Sequence, residues 1–276
     1  MNHHHWPPHT RPPRTLTRRR LLISGAGILT VGATIGITTH QHFDPPGNRP
    51  VALVYRGPAS CAGCSEAVAN LLQTSPTPFR TVFCGPDEAT PLTAANLANA
   101  TVYAQPGGGT LAPAWRKMRG HADDLRAWVR GGGHYLGFCL GAYLAGPTSG
   151  FGLVPGDIER YIDSDNATVH NTDDTVIAIR WRNQPRHMFF QDGPTFPNTT
   201  PATTAVPARY DNDLPAAVIT TYGTGRVGLV GPHPEADPTW YTGIDLTNPD
   251  GIRYDLGHDL IESTLHPTPN EPAPAG

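Results

Sequence analysis

The stretch Gly131–Gly146, GGGHYLGFCLGAYLAG, sets one cysteine between two glycines, behind an apolar run and ahead of a run of small residues. The segment HYLGF, opened by three glycines, reads as a short buried strand, and the residues after Cys139 read as the start of a helix near Leu140. Gly137-Phe138-Cys139-Leu140-Gly141 then has the Gly-x-nucleophile-x-Gly form of a nucleophile elbow. The reason is steric. A residue on so sharp a strand-to-helix turn takes a strained backbone conformation, and flanking glycines let neighbouring chain pass without a Cβ clash. A thiol at the amino end of a helix is drawn towards thiolate by the partial positive charge there. The pentapeptide alone is a weak signal, because buried cysteines that only pack are common.

Outward from this turn the pattern is strand and helix in alternation. VALVYRG reads as a first strand, CAGCSEAVANLLQ as a helix with Ala67, Leu71 and Leu72 on one face, RTVFCG as a second strand and TVYAQPGGG as a third. APAWRKMRGHADDLRAWVRGGG carries Trp115, Met118, Leu125, Trp128 and Val129 at helical spacing before a glycine stop, and HYLGF is the fourth strand. This order predicts an α/β fold: a doubly wound, mostly parallel sheet of flavodoxin-like type with helices on both faces. In such sheets the site lies at the carboxyl ends of the strands. Past Gly146 the pattern changes to β-hairpin alternation in TVIAIRW, RHMFF and AAVITTYGTGRVGLVGPHPE, and DGIRYDLGHDLIESTL reads as a closing helix.

Two stretches give the cysteine possible partners. QPGGG, Gln105 to Gly109, ends the third strand, so Gly107 and Gly108 can turn backbone N–H groups towards a developing oxyanion, joined by the N–H of Leu140. In GLVGPHPEADP, His233 and Glu235 stand two apart at the end of a late strand. In extended chain such residues face the same way, so the carboxylate can hold the imidazole from behind while the imidazole meets the thiol.

The order PGGG, G-x-C-x-G, H-P-E resembles the class I glutamine amidotransferase-like superfamily, with its Cys-His-Glu triad. The blocks VALVYRGPASC, YAQPGGG, HYLGFCLGAYLAG, HMFFQDGPTF, ARYDND and VGLVGPHPEAD resemble more closely the family named for the N-terminal domain of biotin–protein ligases. The resemblance implies Cys139 as nucleophile, His233 as base, Glu235 as its orienting carboxylate, and Gly108 with Leu140 as oxyanion donors. It does not carry an activity across. A ligase needs an ATP- and biotin-binding domain, for which the stretch after Glu235 is too short, and an amidotransferase needs a synthetase partner to receive ammonia. The expectation is therefore a cysteine hydrolase or amidase acting on a small-molecule or peptide-like substrate, without cofactor or metal. The alternative is a catalytically silent ligand-binding or envelope interaction domain on the same fold.

Composition narrows the setting. A formal net charge of −3 over 276 residues argues against a nucleic-acid binder, since the one dense basic cluster, Arg11 to Arg20, lies at the start of the chain and not on the domain. There Arg18, Arg19 and Arg20 precede an uncharged run from Leu21 to Ile37, the order of a twin-arginine export signal, so residues 1–49 read as signal and linker. Contact with a membrane would come only through an uncleaved signal. Residues 50–266 form the domain, and the proline-rich 267–276 a disordered tail. Export would favour a structural disulfide among Cys61, Cys64 and Cys84, with Cys84 brought to the CxxC by adjacent strand ends. A metal site, a redox pair or three small buried residues are the other readings. His121, His170 and His187 show no metal-ligand spacing; Asp192 in QDGPTF suits a pocket or a turn; Tyr143 reads as packing.

Overall fold

A computed structural model of the chain describes residues 49–198, 201 and 203–266. The arginine-flanked run at 18–37 and the tail at 267–276 lie outside the described residues. Four strands follow the predicted parallel course, β1 Val51–Tyr55, β2 Arg80–Cys84, β3 Val102–Gln105 and β4 His134–Phe138, and a late strand expected only as part of a hairpin, β11 Gly225–Val230, joins them in parallel beside β4. Between them run α1 Cys64–Gln73, α2 Ala94–Leu97, α3 Leu111–Met118, α4 Ala122–Arg130 and α5 Leu140–Tyr143. The hairpin half supplies β5 Glu159–Arg160, β6 Thr175–Trp181, β7 Gln184–Phe190, β8 Pro194–Thr195, β9 Ala205–Tyr210 and β10 Pro215–Tyr222. The chain then ends in α6 Pro238–Thr242 and α7 Asp255–Leu265.

Nine strands make one sheet in the order β2-β1-β3-β4-β11-β10-β9-β6-β7, and β5 pairs with β8 beside it. The pairs from β2 through β11 are parallel, and those from β11 to β7 antiparallel. Side chains along β1 alternate between two cores, as a pleated strand covered on both faces requires. Ala52 and Val54 pack with Val68, Leu71 and Leu72 of α1 and Leu260 and Ile261 of α7; Leu53 and Tyr55 pack with Met118, Leu125 and Val129 of α3 and α4. The expected α/β architecture with helices on both faces and hairpins in the C-terminal half is thus present.

The single long helix expected over 112–130 is broken. A 3-10 turn at Arg119–His121 separates α3 from α4. Gly120 sits in that turn with open space on its Cα, and glycine is the poorest helix former after proline, so the turn yields there while Met118, Leu125 and Val129 all remain in the core.

Candidate active site

The site grows from the adjacency of β3, β4 and β11. Gln105 pairs with Gly137 and Val230 with Phe138, so three carboxyl ends finish side by side, and the Cys139 amide donates to the Val230 carbonyl at 2.9 Å. Cys139 follows β4 at φ 48°, ψ −104°, the strained left-handed turn that the flanking glycines predicted. The glycines are required. A Cβ on Gly141 would lie 2.0 Å from the Gln105 carbonyl oxygen, and one on Gly137 would lie 2.6 Å from the Gly141 carbonyl oxygen.

His233, carried past the end of β11, is fixed by backbone and side chain together. Its amide donates to the Phe189 carbonyl at 2.9 Å, and its Nδ1 lies 2.8 Å from Glu235 Oε1. The imidazole lies beside the Cys139 thiol and feels its charge, and with Nδ1 engaged by Glu235 the Nε2 side of the ring is the one left for the sulfur. Glu235 is wholly buried, His233 is 4% exposed and Cys139 8%. Burial alone would lower the imidazole, but the charges of Glu235 and Cys139 and their hydrogen bonds outweigh it and hold His233 at about 10. The ring therefore favours its charged form at neutral pH.

The glycine loop closes a third side. A Cβ on Gly107 would come 2.9 Å from His233 Cε1 and 3.4 Å from Cys139 Cβ, so Gly107 lies directly against the pair. Gly108, at φ 115°, leans instead on Cys61, whose amide donates to the Gly107 carbonyl at 3.0 Å. Leu140 opens α5, and the first N–H groups of a helix have no partner within it. That helix has only four residues, so little macrodipole reaches the thiol and His233 is the stronger influence on it.

The antiparallel half supplies what sequence reasoning missed. The Gln191 carbonyl lies 3.5 Å from the Cys139 sulfur, and Tyr143 Oη donates to the Asp192 carbonyl at 3.2 Å. Tyr143 thus positions the loop after β7, and burial raises its phenol above the ordinary value. The Asp192 carboxylate is taken up by Arg160 at 2.9 and 3.0 Å, and its φ of 48° marks a turn. No periodicity could have found Arg160, since its strand of two residues is set by the pairing with β8.

The cysteine expectation needs correction: the disulfide joins Cys61 to Cys64, and Cys84 is a free buried thiol. Adjacent strands do bring β1 and β2 together, but Cys84 points into the core under α3 and α4, whereas α1 with Cys64 packs on the other face. Of the histidines set aside, His187 pairs with Asp250 at 3.3 Å, His121 is half-buried and His170 exposed. Among the described residues no group of three or more His, Cys, Asp or Glu could hold a metal ion, and no helix is long and apolar enough to cross a membrane.

Comparison with known proteins bears on the fold. Residues 51–158 match the family model for the biotin–protein ligase N-terminal domain. The match contains Gly107 and Cys139 and ends before the strand that leads to His233 and Glu235. PurLQS from Thermotoga maritima is 18% identical, with a TM-score of 0.53 over 79% of this chain and 98% of that one. A Thermoplasma acidophilum protein assigned to GMP synthase is 9% identical, with a TM-score of 0.49 over 79% and 93%. The fold is the glutamine amidotransferase-like α/β fold. No curated protein matches the chain.

Proposed function

We propose that the protein is a cysteine hydrolase of the amidase type, with Cys139 as nucleophile, His233 as base and Glu235 as the carboxylate that orients it. The observation that carries this reading is the buried line Glu235–His233–Cys139 ending on a strained turn beside a glycine loop. In the mechanism the Cys139 sulfur attacks a carbonyl carbon and the oxygen takes up the electron pair, facing the amides of Leu140 and of the Gly107–Gly108 loop. His233, charged by the proton of the thiol, gives that proton to the departing nitrogen or oxygen as the C–N or C–O bond breaks. Water, deprotonated by the same ring, then resolves the acyl-enzyme. Glu235 keeps Nδ1 as the donor on its side, so that Nε2 always meets the sulfur.

The test uses p-nitrophenyl acetate as an acyl donor to the folded full chain. A burst of p-nitrophenolate with a transient acetyl thioester on the Cys139 peptide is expected, and Cys139→Ser should abolish the thioester. A folded protein whose Cys139 is acylated no faster than a free thiol would instead be a silent binding domain on this fold.

Action outside the cytoplasm belongs to the same reading. It is supported by the Arg18-Arg19-Arg20 flank of the apolar run and by the Cys61–Cys64 disulfide, a bond that persists in oxidising compartments. Replacing Arg18 and Arg19 by lysine should retain the protein in the cytoplasm; undiminished export of that double variant would exclude the twin-arginine route.

A further inference from the structure

The mechanism leaves the Cys61–Cys64 disulfide unused, yet the bond sits on the loop that the mechanism needs. Two hydrogen bonds tie its turn to the end of β3: Gln105 Nε2 donates to the Ala59 carbonyl at 2.8 Å, and the Cys61 amide donates to the Gly107 carbonyl at 3.0 Å. Contact is also close. A Cβ on Gly108 would fall 2.3 Å from the Cys61 nitrogen and 2.5 Å from its Cβ, so the two backbones touch. On the other flank of this tripeptide, Gly107 meets His233 and Cys139. The Cys61 turn is thus the outer wall of the glycine loop, and the disulfide holds that wall to α1.

The two sulfurs are unequal in the way that thiol–disulfide exchange requires. Cys61 is exposed, whereas Cys64 is 1% exposed and is the first residue of the ten-residue α1, where a thiolate faces the positive end of the helix. An incoming thiolate can therefore reach only Cys61, and Cys64 is the better leaving group.

We propose that Cys61–Cys64 is an exchange site for a dithiol reductant, and that its oxidised state is what holds the oxyanion loop in working order. The first thiolate of the reductant bonds to Cys61 Sγ as the Cys61–Cys64 bond breaks, and Cys64 leaves as a thiolate that takes a proton. The reductant's second thiolate then closes on its own sulfur and releases Cys61, which is protonated in turn. The protein gains two electrons and two protons, and the dithiol becomes a disulfide. Freed from α1, Cys61 gives up its hydrogen bond to Gly107, and the Gly107–Gly108 loop loses its outer support. This inference rests on the hydrolase reading for its consequence, although not for the structural change.

Amide hydrogen exchange of the full chain, with and without dithiothreitol, separates the two. Exchange at the Cys61 amide, the donor of the bond to Gly107, should rise about fivefold or more on reduction, the scale of one lost hydrogen bond. The Cys61→Ser/Cys64→Ser variant should show the fast exchange without reductant and no response to it. Equal exchange in both states, or a disulfide that dithiothreitol leaves intact in the folded protein, overturns the proposal. Acylation of Cys139 by p-nitrophenyl acetate should slow in step with the loosened loop. If Cys139 is acylated in neither state while the exchange still responds, the switch stands and the hydrolase reading fails.

Discussion

Two parallel strands of this sheet end in a free, buried cysteine, and the two ends have opposite chemistry. At the end of β2, Cys84 completes a regular strand and packs under α3 and α4, where burial, with a smaller push from Glu88, drives its thiol up to about 12. At the end of β4, Cys139 stands in a left-handed turn against a charged imidazole. Depth does not separate them, because both are buried. What separates them is the next element. After Cys84 the chain continues into a loop, whereas after Cys139 it reverses into a helix within one residue, and the reversal turns the sulfur from the core to the edge where β11 delivers His233.

The comparison breaks first on His233. Replacing it by alanine removes the proposed base and the charge beside the sulfur, so alkylation of Cys139 by iodoacetamide near pH 6 should fall about a hundredfold, in the range of a lost acid–base group. Glu235→Gln keeps the ring and loses its fixed orientation, for a fall of about tenfold. Cys84 should stay unlabelled in all three proteins, read by mass spectrometry of the separate peptides. If Cys84 labels as fast as Cys139, or labelling ignores His233, the two strand ends do not differ in this way.

A smaller effect sharpens the contrast through pH. His233 and Cys84 both hold their proton more tightly in the folded chain than in the unfolded one. Stability from His233 is therefore complete below the unfolded value near 6.5 and lost as pH rises through about 10; that from Cys84 is complete below about 9.0 and lost as pH approaches about 12. Urea unfolding should show stability declining from neutral pH upward, with the first part of the decline reduced in His233→Gln. The part above pH 9 should shrink in Cys84→Ala, whose cost at neutral pH is about 1 kcal/mol for a small loss of core volume. A flat profile between pH 7 and 10 in the parent protein would show that His233 is not held in its charged form.

The turn and the side-chain pair beside it were legible in the residues themselves. The glycines around Cys139 announced the turn because only glycine at Gly141 lets α5 pass Gln105 so closely; the pairing of His233 with Glu235, expected from extended chain, is present although Pro234 and Glu235 lie in a turn, with the Ala236 amide donating to the His233 carbonyl at 3.3 Å. The disulfide was misread for a related reason. Strand adjacency was inferred correctly, but the pleat sends Cys84 to the face opposite α1, and which face a strand's last residue takes depends on register across the sheet. The hairpin half was legible only as strands. That its β7 loop would bring the Gln191 carbonyl to the sulfur, and that Arg160 would hold Asp192, follow from pairings between segments 32 residues and more apart.

Local sequence was enough for the strand–helix alternation, the turn at Cys139 and the pairing of His233 with Glu235, because each is a matter of neighbouring residues and local backbone geometry. The tertiary structure alone decided that β11 lies beside β4, that Gly107 meets both members of the pair while Gly108 rests on Cys61, and that Cys84 stays in the core. Those are contacts between distant segments, and they are selected by how whole faces of the sheet bury against helices rather than by any one stretch of chain.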